Sequence, residues 1–161
     1  MSAAQVRCPG GFTLIELITA LAILALLASV AMPFADMAIQ RKKEDELRHS
    51  LRVIRDAIDE YSRAVQDGRI QRTVGSNGYP KTLKLLVDGV EDQQSPTKSK
   101  LYFLRRIPRD PFGPETGSAE ESWGKRSYAS SADDPREGED VYDVYSRSEK
   151  VGLNGIPYRQ W

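Results

Sequence analysis

Hydrophobic and polar positions divide this chain into three unequal zones. From Leu17 to Ala35 the run LITALAILALLASVAMPFA holds 19 residues without a single charge. As a helix rising ~1.5 Å per residue, it matches the ~30 Å thickness of a bilayer's hydrocarbon core. From Asp36 to Gln66 there is neither glycine nor proline, and the pattern becomes amphipathic. Leu47, Leu51, Ile54, Ile58, Tyr61 and Val65 recur at spacings of three and four, which places them on one helical face. Arg48, Arg52, Arg55, Asp56, Asp59 and Arg63 fall on the opposite side, a face expected to be solvated with some i,i+4 pairing. Asp67-Gly68 is a stop signal. The pattern predicts one helix of about 55 residues, apolar all round at its start and one-sided later.

The third zone reads as short elements. Tyr79-Pro80 followed by Leu83, Leu85, Leu86 and Val87 predicts a short helix with proline in its first turn. Val90 to Lys100 (VEDQQSPTKSK) is polar and turn-rich, a loop. Alternation in Trp123–Tyr128 and Val141–Tyr145 predicts short strands. The expected fold class is therefore α+β: a long N-terminal helix, a short second helix, and a small antiparallel sheet with long C-terminal loops.

Two other readings of the apolar run were weighed. A cleavable secretory signal has an apolar core of about 7–15 residues ending at small residues, which Ala25 or Ala28 would supply. Here the run passes straight into the amphipathic pattern with no boundary. A buried core helix would need a domain large enough to surround it on all sides, and 161 residues leave room for one ordinary domain. Counted alone, the basic residues favour a cytoplasmic C-terminal side or at best a draw, since Arg7 and the N-terminal amine precede the run while Arg41, Lys42 and Lys43 follow it.

Composition narrows the chemistry. With 23 basic and 23 acidic residues the net charge is zero, so no nucleic-acid partner is indicated. The single cysteine, Cys8, rules out an internal disulfide or a cysteine-built metal site. The single histidine, His49, lies beside the apolar face of the long helix with no nucleophile nearby in sequence, and is expected to be solvated. No glycine-rich phosphate loop follows a strand, and Asp133-Asp134 are adjacent rather than spaced as an acid/base pair. The chain is not expected to be an enzyme.

The string Gly10-Gly11-Phe12-Thr13-Leu14-Ile15-Glu16-Leu17, after a short leader containing Arg7, resembles the class III signal of type IV pilins and pseudopilins. Leu51 to Tyr61, the Tyr79-Pro80 junction and the stretch Ile107-Pro108-Arg109-Asp110-Pro111-Phe112-Gly113 resemble the major pseudopilin of type II secretion systems. The resemblance implies the type IV pilin fold. It also implies a leader of residues 1–11, a transmembrane and filament-core half over 12–35, and a periplasmic globular domain over 36–161. A prepilin peptidase would cut between Gly11 and Phe12 and methylate Phe12. Glu16 would then pair with a neighbour's N-terminal amine, and a carboxylate at the edge of an apolar helix, costing about 2.5–3.5 kcal/mol at mid-membrane, needs such a reason. The rival is that Glu16 snorkels to the headgroups. Pro33 matches the family's kinking proline.

The implied role is a structural subunit of a pseudopilus acting in protein secretion, a homo-oligomeric helical filament. Implied partners are the peptidase, an inner-membrane assembly platform, minor pseudopilins, and membrane lipid before assembly. The implied location is the bacterial inner membrane, single-pass. No cofactor is certain. Calcium is implied at the C-terminal loops, with Asp143, Ser146, Asp140 and Asp134 as ligands, although Arg147 to Gly155 lacks the family's aspartates. A type IV pilin, a minor pseudopilin and a membrane-anchored binding module that never polymerises are the alternatives.

Overall fold

The computed structural model describes residues 11–73 and 75–161, leaving aside the side chains of 30–32, and the statements below concern these residues. Arg7, Cys8 and Gly10, and with them the expected leader up to Gly10, lie outside the described residues. Contacts divide the chain between Gln40 and Arg41 into two units.

Helix α1 spans Leu14–Gln66, 53 residues, close to the length read from the pattern. It begins at a capping arrangement, the Glu16 amide donating to Thr13 Oγ1 at 3.3 Å. It contains Pro33 and continues through it. Its end follows from Gly68, whose φ of 71° is left-handed and accessible to glycine without strain. In the first unit the apolar side chains stand exposed, with Leu17, Ile18, Leu21, Ile23, Leu24, Leu26 and Leu27 all more than half accessible. The helix is long and apolar enough to cross a membrane.

The second unit is built on the later part of α1. Leu47, Leu51, Ile54, Ile58 and Tyr61 are buried as their spacing predicts, joined by Ala57 and Ala64. Helix α2, Lys84–Asp88, packs Leu86 into the same core beside Leu83. It starts four residues after Pro80, so the proline is not in its first turn. Pro80 instead offers its carbonyl to the Val141 amide at 2.8 Å, fixing the approach to the C-terminal strands.

The loop read over Val90–Lys100 is framed by two strands: β1, Val90–Glu91, pairs antiparallel with β2, Lys100–Leu101. The second pair is β3, Trp123–Arg126, and β4, Asp143–Ser146, antiparallel with Trp123 opposite Ser146 and Gly124 opposite Tyr145. The sheet content is therefore two separate ribbons. Ribbons this short are not stable alone; Trp123 and Val144 bury the second in the core, and Val90 and Leu101 pack the first against it. A long helix with small antiparallel sheets and extended loops is the α+β arrangement consistent with a type IV pilin fold.

Candidate functional site

The N-terminal candidates sit together at the start of α1. Gly11 and Phe12 are exposed, Phe12 at 86%, and both precede the helix outside any regular element. A protease needs such an unpaired backbone to bind its substrate in extended form. Thr13 is the residue whose role sequence reasoning missed. Thr13-Leu14-Ile15-Glu16 is a Thr-x-x-Glu capping sequence, in which the threonine hydroxyl satisfies the amide of the third helical residue. Glu16 thus stands in the first turn of α1, where a negative charge meets the positive end of the helix dipole. This gives Glu16 a local role that neither pairing nor snorkelling had anticipated. Thr19 and Ser29 return their hydroxyls to the carbonyls of Ile15 and Leu26, so the sparse polar groups of the apolar run are satisfied within the helix.

The four residues expected around calcium are each engaged with protein partners; Asp143 and Ser146 lie on β4, and Asp134 and Asp140 line one surface cleft. Asp143 accepts Arg55 Nε at 2.7 Å and Arg126 Nη2 at 3.2 Å. Ser146 is fully buried and donates to Asp110 Oδ2 at 2.6 Å. Asp140 accepts the Tyr128 amide and Asn77 Nδ2, both at 3.0 Å. Asp134 pairs with Arg136 at 2.6 Å on the surface. Among the described residues no group of three or more His, Cys, Asp or Glu side chains is arranged to hold a metal ion.

These loops build a set of polar anchors. Arg55, read as part of the solvated face, is half-buried and reaches across the core edge. Besides Asp143 it donates through Nη2 to the carbonyls of Val144 at 3.1 Å and Trp161 at 2.8 Å. One guanidinium so ties α1 to β4 and to the last residue, using the fork geometry that lysine lacks. The Ile-Pro-Arg-Asp-Pro-Phe-Gly stretch gains a physical meaning. Asp110 is buried, accepts the Phe112 amide at 2.8 Å and Ser146 Oγ, and its own amide donates to Ser122 Oγ at 3.1 Å. A side chain at Gly113 would come within 3.0 Å of Asp110 Cβ, and Phe112 stacks on Tyr158 at 4.1 Å. Trp123 Nε1 closes the knot on the Pro108 carbonyl at 2.8 Å.

Glu44 is the second residue the pattern did not reveal. It lies three before Leu47 on the apolar face and is buried. Its carboxylate accepts the Leu153 amide at 2.8 Å and the Tyr158 hydroxyl at 2.9 Å, latching the C-terminal segment to α1. A charged residue extending an apolar stripe by one helical step was the signal. At the far end of α1, the Arg69 guanidinium grips Asp92 at 2.7 Å and holds its carboxyl below the usual carboxylate range. Burial pushes the Tyr61 phenol up.

Residues 7–32 match the family model described as the prokaryotic N-terminal methylation motif. The match spans the glycine–phenylalanine junction, Glu16 and most of the apolar run. It supports the type IV pilin-like superfamily and marks the chain as a substrate of the prepilin-peptidase kind. No curated protein and no solved structure matches the chain.

Proposed function

We propose that the chain is the precursor of a pseudopilin, cut between Gly11 and Phe12 and then built into a secretion pseudopilus. Residues 1–11 serve as the leader, 12–35 as the membrane and filament-core half, and 36–161 as a periplasmic head. The observation that carries the reading is the apolar, exposed start of α1 lying within the methylation motif. Side chains such as Leu17, Leu21 and Leu24 have no protein around them, and each gains about 1.5–3 kcal/mol on leaving water. Lipid satisfies them before assembly, and the helices of neighbouring subunits afterwards. Glu16 is the one charge in that stretch; in a dry bundle its partner is the methylated amine of the next Phe12. Pro33 bends the helix by removing the amide that would bond to Ser29.

Two variants test this in cells that carry a prepilin peptidase and an assembly platform. Gly11→Ala is expected to leave the full-length precursor on a denaturing gel, whereas wild type is shortened by the leader. Equal sizes for both would overturn the processing step. Glu16→Ala is expected to be cleaved normally yet to give no filaments by electron microscopy. Normal filaments from that variant would overturn the pairing.

A further inference from the structure

The head is electrically neutral overall, but two of its segments carry opposite charge. Residues 98–109 (KSKLYFLRRIPR) carry five basic side chains and no carboxylate. Residues 131–140 (SADDPREGED) carry five carboxylates and one arginine. No ion pair joins the two segments among the described residues. Within the basic segment Arg109 is committed to the carbonyls of Pro114, Thr116 and Gly117. Lys100 reaches the Asp88 carbonyl. Lys98, Arg105 and Arg106 are exposed and their side chains make no hydrogen bond or ion pair, and Tyr102 beside them is 65% accessible. Within the acidic segment Asp134 pairs with Arg136 and Glu137 with Arg147, while Asp133 and Glu139 are exposed and unpaired.

We propose that these are the two halves of one contact between copies of this chain. The Tyr102–Arg105–Arg106 surface of one head meets the Asp133–Glu139 surface of the next. Complementary potentials fix register and exclude wrong partners, even where each exposed pair adds little affinity. The exposed tyrosine and arginines supply the residue types that carry binding energy at interfaces. Because the two surfaces are different patches of the same head, the contact is heterologous, and heterologous contacts propagate into rings or open helices instead of stopping at a dimer. The inference rests on the filament reading and adds to it a contact between heads.

Cross-linking of full-length chains in expressing cells tests the contact separately from the filament. In a Cys8→Ser background, Arg106→Cys and Glu139→Cys are placed on separate co-expressed chains and treated with a short bis-maleimide. A heterodimer is expected, with no dimer when either cysteine chain is expressed alone. Both cysteines on one chain should give a ladder of multimers. A homodimer from Arg106→Cys alone, or a link to a different protein, would overturn the proposal. Cross-linked product without filaments would keep the contact and overturn the filament reading; filaments without product would do the reverse. Charge reversal supplies the second readout. Arg105→Glu with Lys98→Glu on the Arg106→Cys chain is expected to lower the heterodimer yield by about tenfold, the penalty of like charges facing each other. Adding Asp133→Lys on the Glu139→Cys chain should restore it in part, and failure to restore it would count against the pairing.

Discussion

At the scale of single residues, polar side chains in this protein act as fasteners. Arg55 and Glu44 lie eleven residues apart on α1, about three helical turns, and both grip the C-terminal segment. Arg55→Ala strips a half-buried ion pair and two carbonyl bonds. The expected cost is about 1–3 kcal/mol, since hydrogen bonds to charged groups carry that order of energy and partial exposure tempers it. Arg55→Lys keeps the charge but loses the fork, so its urea midpoint should fall between those of Ala and wild type. A lysine variant as weak as alanine would show that geometry, and not charge, carries the anchor. Ile54→Ala opens the centre of the core and is expected to cost about 2–5 kcal/mol in the same denaturation assay.

At the scale of elements, the β1–β2 ribbon shows how much depends on what lies behind a short strand. Its tip is fixed by Arg69 and Asp92, with the Gln93 amide bonded to the Arg69 carbonyl at 2.7 Å. Because the folded-state pKa of Asp92 lies below its unfolded value of about 3.9, its contribution is full above that value. It is lost as pH falls through the lower folded value. Asp92→Asn should therefore destabilise the head at neutral pH and flatten the acid limb of its stability profile, measured by thermal melts between neutral and strongly acidic pH. The long helix was legible because a strict three-and-four spacing and an uncharged run are strong, local signals. The two ribbons were legible only in part. Val90 and Leu101 carry no alternation of their own over two residues, and they pair because Leu86 offers its carbonyl to the Phe103 and Leu104 amides. Likewise the roles of Arg55, Asp110 and Asp143 rest on partners far away in the chain, Arg55 and Asp143 being 88 positions apart. The methylation motif could be read because its signal is contiguous; the calcium expectation came from a resemblance carried by a short strand end, and such a segment does not say which arginine faces which aspartate.

At the scale of the whole molecule, the burial pattern separates what folds the head from the apolar run that is long enough to cross a membrane. All the buried apolar side chains among the described residues lie between Leu47 and Tyr158. The apolar run before Gln40 contributes none of them, and contacts divide the chain at that point. A head lacking residues 1–40 should then keep its fold while losing its affinity for membranes. Circular dichroism should show a cooperative melt, with a midpoint within a few degrees of that of the detergent-solubilised full chain. Fractionation should move the protein from the membrane pellet to the soluble pool. Shortening further, to remove residues 1–47, takes away both Glu44 and Leu47, and with them the latch on Tyr158 and a fully buried core position. That loss should abolish the cooperative melt or lower its midpoint sharply, because a core leucine alone is worth about 2–5 kcal/mol in a domain stabilised by about 5–15. Equal melts for the two truncations would mean that residues 41–47, about two turns of α1, are dispensable. A melt lost already at residue 40 would mean that the apolar run supports the head as well as anchoring it.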